Sequence, residues 1–145
     1  MQVKIKKLDN RAVMPTYGTE YSAGADLYNL AGEDAVIAPG ATAFIHTGLS
    51  MEIPEGYVGL IFARSGLACK RGIAPANKVG VIDADYRGEI MVALHNHSQT
   101  EQCIEGGERV AQIAIVPFMK AEFVLSDELS DTVRGGSGFG STGKK

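Results

Sequence analysis

The sequence predicts an all-β fold, a sandwich or barrel of short strands, followed by a Gly-rich arm. Three observations point there. Short apolar runs recur between Gly, Pro and Asp punctuation, the spacing of strands joined by turns. Only the stretches Glu20 to Leu30 and Leu125 to Thr132 leave room for a helical turn. Residues 134–145, rich in Gly and Ser, cannot build a core or hold a regular strand.

The elements follow in order. Met1 to Leu8 alternates apolar and charged residues, as a first strand does, and lacks the apolar run of a signal peptide. Strands are then predicted at Ala35–Ile37, Thr42 to Ile53, Tyr57 to Phe62, Gly80 to Ile82, Glu89 to Leu94 and Arg109 to Phe118. Both faces of Arg109 to Val116 are largely apolar, so that strand is expected to be buried on two sides. Val133 closes the expected compact body, residues 1–133, and 134–145 form an arm whose purpose needs a separate explanation.

Composition narrows the function classes. With 145 residues the chain has the size of one domain, able to bury about 68–70% of its unfolded surface. Its net charge of −3 and lack of a long Lys/Arg stripe argue against a nucleic-acid partner. No apolar run reaches the roughly 18 residues of a membrane span. Cys69 and Cys103 have no metal-site spacing and no disulfide framework around them, so they read as reduced thiols in a cytoplasmic protein.

Several segments could carry chemistry. Gly80 to Ile90 runs an apolar strand into Asp83, Asp85, Tyr86, Arg87 and Glu89. A carboxylate fixed at a strand end can orient a water and accept its proton; a polar hairpin turn with a packed Tyr would show the same residues. Arg64-Ser65-Gly66 offers a guanidinium fork, a hydroxyl and an approachable backbone, which suit a phosphate but also occur in ordinary turns. Gly138 to Lys144 fits most of a Walker A spacing, yet Lys145 stands where Ser or Thr should hold magnesium and no helix follows, which excludes a P-loop. What survives there is a set of Gly amides, two hydroxyls and Arg134 around Phe139, able to fold over a nucleotide. Asp26 and Gln112 sit among apolar residues and need partners, structural or on a ligand. His95 and His97 share a strand face, but without a third ligand the structural reading is preferred to a zinc site.

In chain order, Ala23 to Tyr28, Arg64 to Ala68, Gly80 to Gly88, Gly107 to Ile113 and Arg134 to Gly143 resemble the five motifs of the trimeric deoxyuridine triphosphatase (dUTPase) family. The resemblance covers nearly the whole chain and implies a jelly-roll β domain in a homotrimer whose active sites draw on all three chains. The implied reaction is cleavage of dUTP to dUMP and pyrophosphate with Mg2+. That reaction would supply dUMP for thymidylate synthesis and limit uracil in DNA.

Carried over by motif, Asp83 would activate the water that attacks the α-phosphorus, and Tyr86 would pack on the deoxyribose and refuse a 2′-hydroxyl. Uracil would be read by the hairpin Ile73 to Val79, with Asn77 at a base-contacting position, Met91 would add a main-chain contact, and Val81 and Ile82 would also bind the substrate. Arg64, Ser65, Gly66, Gln112, Arg134, Gly140, Ser141 and Thr142 would meet the phosphates. Phe139 would stack on the base, and Asp26 would reach the magnesium through water. One departure is Ala63, where the second motif usually begins with Pro; it removes no chemical group. The rivals are a dCTP deaminase of the same fold, with Glu89 as the nearest candidate base, and a non-catalytic nucleotide sensor or protein-binding module.

Overall fold

The computed structural model describes residues 1–138. Alternation at the N-terminus produces β1 (Lys4–Lys7), which pairs antiparallel with β6 (Leu49–Glu52). The run from Thr42 to Ile53 is two strands, because the chain turns at Thr47-Gly48. Gly48 has φ +68°, and a Cβ there would meet the Ala12 Cβ at 2.9 Å, so only glycine fits this turn. The first half, β5 (Thr42–His46), joins β10 (Met91–Asn96) and β8 (Ile73–Pro75) in a three-stranded sheet. The second half is β6, so the turn hands the chain from one sheet to another.

The largest sheet orders β2 (Thr16–Tyr17), β3 (Ala25–Tyr28), β12 (Arg109–Pro117), β7 (Tyr57–Phe62) and β9 (Gly80–Ile82). A fourth sheet, of two strands, joins β4 (Ala35–Ile37) to β11 (Gln102–Ile104). Between the sheets lie Leu27, Ile37, Ile45, Leu49, Ile73, Ile90, Leu94, Ile104 and Val110, all fully buried. Each such side chain contributes about 1.5–3 kcal/mol of transfer free energy. In β12 the consecutive residues Val110 and Ala111 are both buried, as the two-sided apolar pattern predicts, but Val116 near its end is exposed.

The helical expectations are corrected. Glu20 to Leu30 holds β3 instead, because Ala25 and Leu27 alternate into the core while Asp26 and Tyr28 do not. The helix is α1 (Ser65–Arg71), which ends where Gly72 turns left-handed at φ 68° and returns its N–H to the Leu67 carbonyl. Leu125 to Thr132 forms no helix: Leu125 and Leu129 are almost wholly exposed, and so short a helix needs a packed face. Among the described residues the last strand ends at Pro117.

Candidate active site

Three neighbouring strands bring the first, second and fourth sequence segments together. Asp26 on β3 faces Gln112 on β12, and Gln112 faces Phe62 on β7, in one row of the sheet. The chain then leaves β7 through Ala63 to Arg64. Asp26 accepts from Arg64 Nε at 2.8 Å through Oδ1 and from Arg109 Nη1 at 3.2 Å through Oδ2. Arg64 Nη1 also donates to the Arg109 carbonyl at 3.3 Å. The Gln112 amide donates to the Ala63 carbonyl at 2.9 Å, which gives this inward polar group its partner. Gly24 makes that path possible, since a Cβ at position 24 would lie 2.5 Å from Gln112 Oε1. Ser65 and Gly66 are exposed in the first turn of α1, whose amides lack an intrahelical partner.

The third segment builds a second group. Asn77, Val81, Ile82, Asp83, Tyr86 and Met91 all line one pocket of about 230 Å³, together with Phe44, Glu89 and Ala93. Asp83 is exposed at the strand end, and the same turn borders a wider hollow of about 660 Å³ with Glu55, Phe118 and Lys120. The Tyr86 ring folds back across Gly88, and its hydroxyl donates to the Glu89 carbonyl at 3.0 Å. The stretch Ile73 to Val79 is not a hairpin. Its strand β8 pairs with β10 while β9 pairs with β7, so Ala76 to Val79 is a turn that crosses between sheets. Lys78 holds a left-handed φ of 65° in that turn, leaving Asn77 exposed at its corner.

Within one chain these two groups do not meet. Ile82 pairs with Gly59 and Gln112 pairs with Phe62, rows three residues or about 10 Å apart along β7. Asp83 and Arg64 each lie beyond their own row, in opposite directions. Arg134 is exposed and donates from Nε to the Ser137 carbonyl at 2.8 Å, while Phe139, Gly140, Ser141 and Thr142 lie outside the described residues.

Among the described residues no group of three or more His, Cys, Asp or Glu could hold a metal. His95 and His97 stand edge to face with ring centroids 4.4 Å apart, and Thr42 Oγ1 already engages His95 Nδ1. No described helix is long and apolar enough to cross a membrane.

Phe44, Arg109 and Gly24 are the site residues that sequence reasoning missed. Phe44 reaches the pocket because β5 pairs it with Ala93, and Arg109 reaches Asp26 across β12 and β3. A Phe at an exposed strand position was the one available signal for Phe44, since its exposure on this chain is 67%.

Fold and site together define a class: an all-β protein with a small-molecule pocket beside a strand-end carboxylate, and a separate arginine cluster suited to anionic oxygens. Comparison with known proteins makes the class specific. The dUTPase family profile matches residues 10–143. A deoxyuridine 5'-triphosphate nucleotidohydrolase of Nautilia profundicola is 51% identical over 144 residues, covering 99% of this chain and 100% of the relative. The dUTPase of Staphylococcus bacteriophage 80alpha, solved with dUpNHpp, superposes with TM-score 0.90 at 31% identity over 98% of both chains. A mutant dUTPase of S. aureus phage phi11, whose structure concerns a structural Mg(II) ion, superposes at 0.80 with 27% identity over 88% of this chain and 98% of its own. The chain belongs to the dUTPase family.

Proposed function

We propose that this chain hydrolyses dUTP to dUMP and pyrophosphate as a homotrimer with shared active sites. The observation that carries the proposal is the pocket in which Asn77, Val81, Ile82, Tyr86 and Met91 surround the rim occupied by Asp83. Its volume suits a base and sugar but not a whole triphosphate, and the phosphate-type residues stand off the other end of β7. A complete site then joins the pocket of one chain to the Asp26–Arg64–Gln112 cluster of a second. Arg134, Gly140, Ser141, Thr142 and Phe139 arrive on an arm of residues 134–145, with residues 1–133 as the body.

In this reading an Asp83 carboxylate oxygen accepts the proton of a water aimed at the α-phosphorus, and pyrophosphate leaves on the opposite side. Tyr86 lies against the deoxyribose and leaves no room for a 2′-hydroxyl, while Asn77 and the main chain at Val81, Ile82 and Met91 read the uracil edge. Arg64, held through Nε by Asp26, presents Nη2 to phosphate oxygens beside Ser65, Gly66 and Gln112. Phe139 stacks on the base.

The donor set fits a magnesium ion carried in on the triphosphate better than a resident one. Asp26 is the nearest carboxylate, and each of its oxygens, though already holding one arginine, keeps a lone pair for a metal-bound water. When bound, the ion supplies charge neutralisation on the phosphate oxygens. Release of dUMP would feed thymidylate synthesis and keep uracil out of DNA. The exposed free thiols Cys69 and Cys103 suit the reducing cytoplasm.

The deaminase reading is disfavoured because both carboxylate oxygens of Glu89, its candidate base, are engaged by Gly48 and His46. A sensor or binding module would not need a carboxylate at the pocket rim. The deciding experiment compares pyrophosphate release from dUTP, dCTP, dTTP and UTP with and without Mg2+. Release from dUTP alone, lost with EDTA, is expected. Ammonia from dCTP, or no release from any of them, would overturn the proposal.

A further inference from the structure

We infer that Glu89 is a positioning residue for sugar selection: its carboxylate ties the segment carrying Tyr86 to the β5–β6 turn and so fixes the ring that measures the 2′ position. The inference rests on the reading of Tyr86 given under Proposed function.

The chain of contacts is continuous. Tyr86 donates its hydroxyl to the main-chain carbonyl of Glu89 at 3.0 Å, so the ring moves with that peptide. The Glu89 side chain, 22% exposed, accepts the Gly48 N–H at 2.8 Å through Oε1 and meets His46 Nδ1 at 2.9 Å through Oε2. A carboxylate that accepts a backbone N–H makes a charge-assisted bond, stronger than a neutral pair.

The anchor itself is rigid. Gly48 is wedged against Ala12 and Leu30, with contacts of 2.9 and 3.0 Å awaiting any Cβ. The main chain on either side of Glu89 is pinned to the start of β6, which follows this turn: Ser50 Oγ donates to the Arg87 carbonyl at 2.8 Å, and the Ile90 N–H donates to the Leu49 carbonyl at 2.7 Å. Residues 87–90 belong to no strand, so these bonds do the work that a ladder does elsewhere. Glu89 is the link among them that falls on the peptide holding Tyr86.

The test uses the full-length protein and three variants: Glu89→Ala, Glu89→Gln and His46→Ala. The readouts are kcat and KM for dUTP and for UTP with Mg2+, and amide hydrogen exchange over residues 86–90. Loss of the acceptor in Glu89→Ala should cut the dUTP-over-UTP ratio of kcat/KM about tenfold, mostly through a higher KM for dUTP, because small misplacement of a positioning group is costly. Exchange at 86–90 should rise in the same variant. Glu89→Gln keeps an oxygen for the Gly48 N–H and should stay within about threefold of the parent. His46→Ala should do the same, since it leaves that bond intact.

A Glu89→Ala ratio within about twofold of the parent would overturn the inference, as would Glu89→Gln falling as far as Glu89→Ala. If Glu89→Ala does not fold, Glu89→Met replaces it under the same criteria. Loss of fold in both, with Glu89→Gln folded, would make Glu89 a stability residue and also overturn the inference. A parent inert on dUTP sinks the functional reading, whereas an active parent with an unmoved ratio sinks only this inference.

Discussion

At the residue scale, Asp83 is placed by two neighbours in sequence: β9 delivers it, and the turn through Tyr86 and Glu89 holds it at the pocket rim. Asp83→Asn keeps the size and a hydrogen-bonding oxygen but loses the ability to take a proton. Turnover should fall about 10²-fold or more with nucleotide affinity retained. Single-turnover kinetics beside equilibrium binding of a nonhydrolysable dUTP analogue checks it, and unchanged turnover would reassign the base.

Gly24 gives a second residue-scale prediction. Its missing Cβ leaves room for the Gln112 amide to reach the Ala63 carbonyl. Gly24→Ala should push that side chain aside and leave the fold intact, because the obstacle is the far end of a flexible side chain. KM for dUTP is expected to rise by about 3- to 10-fold, the loss of one hydrogen bond.

Val81, Ile82, Asp83 and Tyr86 of the third segment, with Asn77 and Met91 flanking it, were legible because they are close together in the chain. Phe44 and Arg109 were not: strand register brings Phe44 in from a segment with no chemistry of its own, and it carries Arg109, from the segment of Gln112, across to Asp26 on β3.

At the element scale, the strands were legible wherever apolar residues alternated and punctuation stood close by, and boundaries failed where a single residue changes the partner. Thr42 to Ile53 reads as one run, yet Gly48 divides it between two sheets. Helix α1 is too short for a 3.6-residue period to show, and β2 is two residues long. The turn from β11 to β12 carries a packing constraint that composition hides. A Cβ on Gly106 would meet backbone nitrogens of Gly32 and Glu33, which cannot swing away as a side chain does. Gly106→Ala should therefore destabilise by about 1–3 kcal/mol, visible as a lower denaturation midpoint. An unchanged midpoint would mean that the two turns are not in contact in solution.

The loop after β1 adds a pH signature. Arg11 bonds Asp9 through its side chain and main-chain N–H and lowers that carboxyl to about 2, from an ordinary 3.8. A folded-state pKa below the unfolded one stabilises the fold above the unfolded value, and this contribution is lost as pH falls from about 3.8 towards about 2. Asp9→Asn should flatten the acid limb of melting temperature against pH in that window. An identical limb in the variant would show that the pair is too well solvated to matter.

For the whole molecule, topology separates what chemistry must unite. Since Asp83 and Arg64 project past opposite ends of the same strand, a chain acting alone would hold the carboxylate proposed to activate water apart from the cluster proposed to bind phosphate. The exposed stretch that includes Met119, Phe123, Leu125 and Leu129 likewise packs against nothing among the described residues of its own chain. Ending the chain at Val133 should then leave an assembled protein with little activity, since the proposed body is kept and the arm proposed to close the site is gone. Gel filtration with a dUTP assay reads both halves of that expectation.

Complementation is the stricter test. Asp83→Asn chains and Arg64→Ala chains should each be nearly inactive when assembled from one variant alone. Mixed by co-refolding, about a quarter of the sites should regain both groups, because each site draws its two contributing chains at random from a symmetric assembly. Activity recovered in proportion to mixing, against none from the same proteins mixed without unfolding, would establish that the groups come from different copies. No recovery from well-folded hybrids would place Asp83 and Arg64 of one chain in the same site, and the fold described here would then have to rearrange to allow it.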